Sequence, residues 1–144
     1  MDLNRKRSRA VAEVIGAANG ECWKNALLAV AVLDEALYVE GWVVTDLSLL
    51  VEHGWVEADG EIVDPTPAYH AGQRRCRYFP GVRYTLEEAM SGADDSVILP
   101  LAKLDVPAYR AAYSAAHVVA YLGTPEELQK KLDVFAQAAK VPLR

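Results

Sequence analysis

The fold of this chain is decided by residues 52–64, which read EHGWVEADGEIVD. An Asp-Gly pair between two alternating apolar runs is a strong signal for a two-residue β-hairpin turn. We therefore expect antiparallel strands over Glu52–Glu57 and Glu61–Asp64. Pro65 and Pro67 end the second strand, because proline has no N–H to donate to a neighbouring strand.

A turn formed by Asp59 and Gly60 also predicts which side chains share a face of the hairpin. Trp55 then lies opposite Asp64, and His53 lies two positions from Trp55 on the same face. Residues at this diagonal spacing have Cα atoms about 7–8 Å apart, a gap that an imidazole and a carboxylate together close. The pattern therefore predicts a hydrogen bond between His53 and Asp64, which a one-residue slip would abolish.

Two helices and a strand precede the hairpin. Apolar residues at helical spacing predict a first helix over Leu3–Ala18, ended by Asn19-Gly20. A second helix, predicted over Cys22–Leu37, is apolar on nearly all sides, which is typical of a buried central helix. Tyr38–Thr45 is rich in β-branched and aromatic residues and predicts a strand.

Further elements follow the hairpin. They are a loop at Ala68–Arg75, a strand at Cys76–Tyr84 interrupted at Pro80-Gly81, a short strand at Ser96–Leu99 and a helix at Pro107–Leu122. Thr85 and Glu88, and again Thr124 and Glu127, have the spacing of capping boxes, which start helices. Helices come first, antiparallel strands lie in the middle and helices come last, so we predict an α+β fold with one domain over 1–144.

Composition narrows the range of functions. The chain has 144 residues, of which 52% are apolar and 24% charged, and this suits a globular domain. A net charge of −5 argues against nucleic acid as a partner, since phosphate contacts need a basic surface. No segment has the features of a signal peptide or a membrane span, so we expect a cytoplasmic protein with no membrane partner. The oligomeric state is left open.

Cys22 stands at the start of the second predicted helix. Unpaired N–H groups and the helix dipole favour negative charge there, so the thiol would ionise readily to the reactive thiolate. Alternatively, Cys22 is a small buried hydrophobic residue, as most free cysteines are. With His53 and Asp64 it would form a triad in which the sulfur attacks an acyl carbon, His53 transfers protons and Asp64 orients the imidazole.

Several residues are candidates for the surroundings of this triad. The backbone N–H of Cys22 is a natural oxyanion donor. A side-chain donor would be either Asn19 or Asn25. The alternative role for Asn19 is to cap a helix. Trp23 and Trp55 are candidates for substrate contact. Trp42 either lines a cleft or lies in the core. Glu40 is either an acid near the site or an exposed residue of the strand. No CxxC or HxxxH spacing is present, so we expect neither a metal nor a cofactor.

Four motifs follow one another between residues 20 and 85: CW at 22–23, YVEGW at 38–42, HGWVE at 53–57 and IVDPT at 62–66. This layout resembles the transglutaminase-like cysteine protein family, in particular its small bacterial and phage-type members. The resemblance implies a papain-like core, in which the Cys22 helix packs on the antiparallel sheet. It also implies acyl transfer on a peptide or protein amide, by hydrolysis, deamidation or transamidation.

One departure from the family pattern leaves an alternative function open. Papain-like enzymes often place an oxyanion Gln several residues before the cysteine, and no Gln precedes Cys22. The chain would then be a binding or inhibitory module that keeps the fold without catalysis. A third hypothesis is a structural protein that self-associates through the Ala-rich helix at Pro107–Leu122.

Overall fold

The computed structural model describes residues 1–47, 49–71, 75–91 and 107–120. Over these residues the chain forms five helices and a four-stranded antiparallel sheet, with the strand order β3-β2-β1-β4. The elements are α1 (Arg5–Ile15), α2 (Cys22–Val32), β1 (Leu37–Thr45), β2 (Leu50–Ala58), β3 (Glu61–Val63), α3 (Pro67–His70), β4 (Cys76–Tyr84), α4 (Leu86–Ser91) and α5 (Pro107–Ala120). The predicted α+β class is confirmed.

The described residues form two compact units. The first contains those within 1–40, 53–74 and 82–98, and the second contains those within 41–52, 75–81 and 99–144. The three residues of the predicted triad belong to the first unit, while the single domain over 1–144 stays a prediction. Within the described ranges, no helix has both the length and the apolar character needed to cross a membrane.

The hairpin has the predicted turn and register. Asp59 and Gly60 both take positive φ, 53° and 75°, as the two central residues of a tight hairpin turn require. Ala58 pairs with Glu61 across the turn, and Val56 pairs with Val63. Because the register is the predicted one, the face that carries His53, Trp55 and Glu57 is buried as expected.

The core of the first unit forms where α2 packs against the sheet. Small side chains on the inner face of α2, Ala26 and Ala29, allow the helix to approach β1 and β2 closely. Val30 of α2 and Val56 of β2 are fully buried and belong to the same core cluster. Burial of apolar surface of this kind is the main favourable contribution to folding.

Two predictions about α2 are wrong. The helix ends at Val32 and not at Leu37, because Leu33 is already extended and Glu35 takes a positive φ of 50° that turns the chain into β1. It is also not buried on all sides, since Trp23, Leu28 and Val32 are exposed. A helix that lies on one side of a sheet buries one face only, and the apolar composition could not show which face this would be.

The first helix is shorter than predicted. Gly16 takes the left-handed conformation directly after Ile15 and ends α1 there, three residues before Asn19-Gly20. At the other end, the side chain of Asn4 caps α1 by accepting a hydrogen bond from the N–H of Arg7. The backbone around Asn4 also pairs with Ile62, so the start of the chain covers one edge of β3.

Other differences lie after the hairpin. The predicted loop at Ala68–Arg75 begins inside a short helix, α3, which has Pro67 at its first position. Pro80 does not interrupt β4, because β4 is an edge strand of the sheet as described, where a missing N–H need not break a ladder bond. The strand at Ser96–Leu99 and the capping box of Thr124 and Glu127 lie outside the described residues.

Two predicted features after the sheet are present. Thr85 and Glu88 exchange hydrogen bonds at the start of α4, at 2.8 and 3.2 Å, so this capping box is confirmed. In the second unit, Trp42 is 1% exposed and packs edge-on against Tyr109 of α5, with 5.2 Å between ring centroids. Trp42 is therefore a core residue of that unit.

Gly54 sets the distance between α2 and β2. A Cβ atom at this position would lie 2.7 Å from the ring of Trp23 and 3.5 Å from the Cβ of Ala26. Only a residue without a side chain allows the Trp23 ring to rest on the strand backbone. Since Cys22 precedes Trp23, this contact also positions the first turn of α2.

Gly54→Ala should lower the free energy of unfolding by about 1–3 kcal/mol, the usual cost of forcing a methyl group into a packed site. Urea denaturation would measure the change. In a Trp23→Leu background the same substitution should cost much less, because the ring that clashes is gone. An equal cost in both backgrounds would show that the Trp23 contact is not the reason for glycine.

Candidate active site

Cys22 is the first residue of α2 and is half-buried. Its backbone N–H is one of the first N–H groups of the helix, which have no partner inside the helix. The preceding residue, Glu21, does not cap the helix with its side chain, although its carbonyl accepts the first helical hydrogen bond from Asn25. The sulfur therefore lies where the positive end of a helix dipole favours a thiolate.

Asn25 anchors this first turn instead of serving as an oxyanion donor. Its side chain is buried, and its amide nitrogen donates to the carbonyl of Ala18 at 2.7 Å and to the hydroxyl of Thr66 at 3.1 Å. Both amide hydrogens are thus committed inside the protein. Asn19 is exposed, and its side-chain oxygen accepts a hydrogen bond from the N–H of Ala68 at 2.8 Å, which ties the Cys22 loop to α3.

His53 and Asp64 make the hydrogen bond that the hairpin register predicts. The Nε2 atom of His53 lies 2.7 Å from Oδ2 of Asp64, and both side chains are about 99% buried or more. Asp64 is itself held in place, because its N–H donates to the hydroxyl of Ser8 and its Oδ1 accepts from the N–H of Thr66. Ser8 in turn donates to the carbonyl of Asn4, so α1 fixes the backbone of Asp64 through a buried hydroxyl.

The sulfur of Cys22 interacts with this pair, since Cys22 and His53 shift each other's pKa. Because Nε2 of His53 is engaged by Asp64, the nitrogen left for the sulfur is Nδ1. The backbone N–H groups of Gly54 and Trp23 also lower the pKa of the Cys22 thiol. The three predicted triad residues therefore come together, in the order sulfur, imidazole and carboxylate.

The protonation of the pair follows from these contacts. Burial works to raise the pKa of Cys22, but hydrogen bonds from His53 and the two backbone N–H groups, together with the imidazolium charge, lower it below its usual value. Burial works to lower the pKa of His53, but the Asp64 carboxylate and the Cys22 thiolate raise it to about 9. Both shifts favour transfer of the thiol proton to the imidazole.

Aromatic rings surround His53. Tyr69 of α3 lies against the imidazole with ring centroids 4.0 Å apart, and Trp55 stacks along it at 6.2 Å with 22° between the planes. Trp55 is fully buried, so it supports the imidazole and is not an open cleft wall. Trp23 is 38% exposed next to Cys22 and remains a candidate for substrate contact.

Sequence reasoning missed several residues of this site. Ser8 and Tyr69 are far from Cys22 in sequence and match no pattern, since only the packing of α1 and α3 brings them here. Thr66 had a partial signal, because it closes the Asp-Pro-Thr motif after β3. The reading of Glu40 as an exposed strand residue is wrong, since its side chain is fully buried.

Comparisons of this chain with known protein families, with curated proteins and with solved structures found no match. Within the described ranges, no group of three His, Cys, Asp or Glu side chains is placed to hold a metal ion.

Near neutral pH, iodoacetamide should modify Cys22 at least about tenfold faster than Cys76, because His53 and two backbone N–H groups lower the pKa of the Cys22 thiol. Both cysteines are half-buried and neither forms a disulfide, so Cys76 is an internal control. Peptide mass spectrometry of the folded protein would report the two rates. His53→Gln should bring the rate of Cys22 close to that of Cys76, and equal rates in the unmodified protein would contradict the activated thiolate.

The stability of Cys22→Ala should depend on pH more steeply than that of the unmodified protein. Above pH 6.5, the native imidazole with its raised pKa holds more protons than the unfolded one, whereas a native thiol with a lowered pKa holds fewer. In the unmodified protein these two contributions to the pH slope oppose each other. Without the thiol, only the raised pKa of His53 remains, so stability is full below pH 6.5 and falls as pH rises toward the native pKa.

Urea denaturation across pH 6–9 would measure this difference. The expected slope for Cys22→Ala is steepest midway between pH 6.5 and the native pKa of His53, and it cannot exceed about 1.4 kcal/mol per pH unit. His53→Gln should remove it in the Cys22→Ala background. Parallel pH profiles for the unmodified protein and Cys22→Ala would mean that the native thiol does not ionise more readily than the unfolded one.

Proposed function

We propose that this protein is a cysteine-dependent acyl-transfer enzyme that acts on a peptide or protein amide through Cys22, His53 and Asp64. The supporting observation is the buried 2.7 Å hydrogen bond from His53 to Asp64, together with the half-buried Cys22 whose pKa the same imidazole lowers. A nucleophile, a base within hydrogen-bond reach and a carboxylate that orients the base are the parts that such catalysis requires.

The first half of the reaction forms a thioester. The Cys22 thiolate attacks the carbonyl carbon of the amide, a C–S bond forms and the carbonyl π electrons move onto the oxygen. The protonated His53 then donates its Nδ1 proton to the amide nitrogen, so that the C–N bond breaks and an amine leaves. Asp64 keeps the imidazole in the tautomer and orientation that this transfer needs.

The second half releases the acyl group. His53, now neutral, takes a proton from water or from an amine, which attacks the thioester carbon and expels the thiolate. Water gives hydrolysis or deamidation, and an amine gives transamidation. The backbone donors for the oxyanion are the N–H of Cys22 at the start of α2 and the N–H groups of Trp23 and Gly54, which lower the pKa of the Cys22 thiol.

A papain-like core is part of the same proposal. Its support is the placement of the nucleophile at the start of a helix that packs on an antiparallel sheet, with His53 on β2 and Asp64 directly after β3. The motif order that resembles transglutaminase-like proteins points to the same arrangement. We further propose that the protein acts in the cytoplasm on peptide or protein amides.

p-Nitrophenyl acetate, an activated acyl donor, would test the proposal before the natural substrate is identified. The unmodified protein should release p-nitrophenolate and carry a transient acetyl group on Cys22, detected by mass spectrometry after acid quenching. Asp64→Asn should slow turnover about 100-fold or more, because the imidazole loses its oriented tautomer. Cys22→Ala should form no adduct at all.

Cys76→Ala is the matched control and should retain full turnover, since Cys76 has no part in the triad. A folded protein that acylates Cys22 no faster than Cys76 would contradict the enzyme proposal. That result would favour the alternative of a binding or inhibitory module that keeps the fold without catalysis.

A further inference from the structure

Tyr69 is an aromatic residue of the site to which the mechanism above gives no role. Its ring lies over the imidazole of His53, with 4.0 Å between the ring centroids and 34° between the ring planes. A separation this short places the faces of the two rings in contact, since edge-to-face pairs lie further apart. His53 is 1% exposed and Tyr69 is half-buried, so Tyr69 covers a face of the imidazole that solvent does not reach.

The Tyr69 ring is tied to the segment that carries the carboxylate of the site. The backbone N–H of Tyr69 donates to the carbonyl of Thr66 at 3.0 Å, and the N–H of Thr66 donates to Oδ1 of Asp64 at 3.1 Å. Oδ2 of the same carboxylate lies 2.7 Å from Nε2 of His53. The segment that follows β3 therefore contacts the imidazole twice, at one edge through Asp64 and on one face through Tyr69.

Two contacts from outside this segment hold α3 in place. One guanidinium nitrogen of Arg5, on α1, donates to the carbonyls of Tyr69 and His70 at 3.4 and 3.3 Å. These carbonyls lie at the end of α3, where a helix has no internal partners for them. At the other end, the side-chain oxygen of Asn19 accepts a hydrogen bond from the N–H of Ala68 at 2.8 Å. A helix of four residues is not stable alone, so these bonds fix the position of the ring.

The contact distinguishes a charged imidazole from a neutral one. The face of an aromatic ring carries partial negative charge and attracts a cation that lies over it within about 6 Å of the centroid. The imidazole of His53 is inside this range and is shielded from water, which strengthens the attraction. A neutral imidazole gains no such interaction. An aliphatic side chain of similar size would exclude water without attracting the charge.

We propose that Tyr69 is a positioning residue of the active site, whose ring stabilises the imidazolium of His53 through its π face. Arg5 and Asn19 contribute to the same effect, because they hold α3 where the ring covers the imidazole. This role deepens the proposed function and rests on it for the use of the imidazolium, which protonates the leaving amine. Tyr69 acts on the reaction through His53 and exchanges no proton with the substrate.

Other titratable groups also act on His53 within the described residues. Burial works to lower the pKa of His53, but Asp64, which follows β3, and Cys22 of α2 raise it to about 9. On α3 itself, the buried side chain of His70 has its Nε2 atom 3.1 Å from the carbonyl of Pro65. A Cys22→Ala background removes the thiol and leaves the Asp64 contact in place, so that the effect of the Tyr69 ring can be measured against a constant partner.

Titration of the His53 imidazole in the Cys22→Ala background would test the proposal. The chemical shifts of the ring carbons in NMR spectra report the midpoint, and the signals of His53 are those that His53→Gln removes. Tyr69→Leu should lower the midpoint by about 0.5–1 pH unit, the size of one cation–π contact. Tyr69→Phe should leave it nearly unchanged, because the ring is retained. A merely structural role would alter stability without this difference, and equal midpoints for the two variants would overturn the proposal.

Arg5→Met tests the same contact without a change to the ring. Loss of the bonds to the end of α3 should lower the His53 midpoint by less than Tyr69→Leu does, and should have no further effect in a Tyr69→Leu background. Removal of a positive charge by itself would raise the midpoint, so a fall reports the ring. Arg9→Met, at an exposed arginine one turn further along α1, is the matched control and should cause no fall. A rise or no change in Arg5→Met would overturn the role of Arg5.

The titration and acyl transfer are independent measurements, because the titration uses a protein without the nucleophile. Equal midpoints in Tyr69→Leu and Tyr69→Phe would overturn the role of Tyr69 even if p-nitrophenyl acetate acylates Cys22. Absence of acyl transfer in the unmodified protein, with the midpoint shift present, would instead overturn the proposed function alone.

Discussion

The site depends on one buried hydrogen bond, the 2.7 Å contact between His53 and Asp64 across the hairpin. It exists because the two-residue turn at Asp59-Gly60 places both side chains on the same face. A shift of one residue in either strand would move the imidazole and the carboxylate to opposite faces. Without the carboxylate, burial would favour a neutral imidazole, and the thiolate would lose its counterion.

The remaining contacts hold three separate segments around that hydrogen bond. Ser8 of α1 and Thr66 fix the position of Asp64, and Thr66 also accepts a hydrogen bond from Asn25 in the first turn of α2. Gly54 lets the same turn approach β2 closely. Because these groups are buried and paired, each would leave an unsatisfied partner if it were removed, and this cost favours a single arrangement of the site.

The partners of two buried acids explain why Glu40 differs from Asp64. The Asp64 carboxylate lies 2.7 Å from the imidazole of His53, which can carry a positive charge. Glu40 accepts a hydrogen bond from the neutral phenol of Tyr38 and belongs to none of the ion pairs among the described residues. Burial therefore raises the pKa of Glu40 to about 7.

The sequence alone determined the local features whose physics acts over a few residues. The Asp-Gly turn, the strand alternation that pairs His53 with Asp64, and the capping box of Thr85 and Glu88 follow from short-range geometry, and each is present in the structure. Only the tertiary structure decided which side of α2 is buried, and that the amide of Asn25 is committed to Ala18 and Thr66. It also decided that Glu40 lies inside the protein. The reason is that burial depends on which distant segments pack against a residue. Alternation along one strand defines its two faces, but it does not determine which segments cover them.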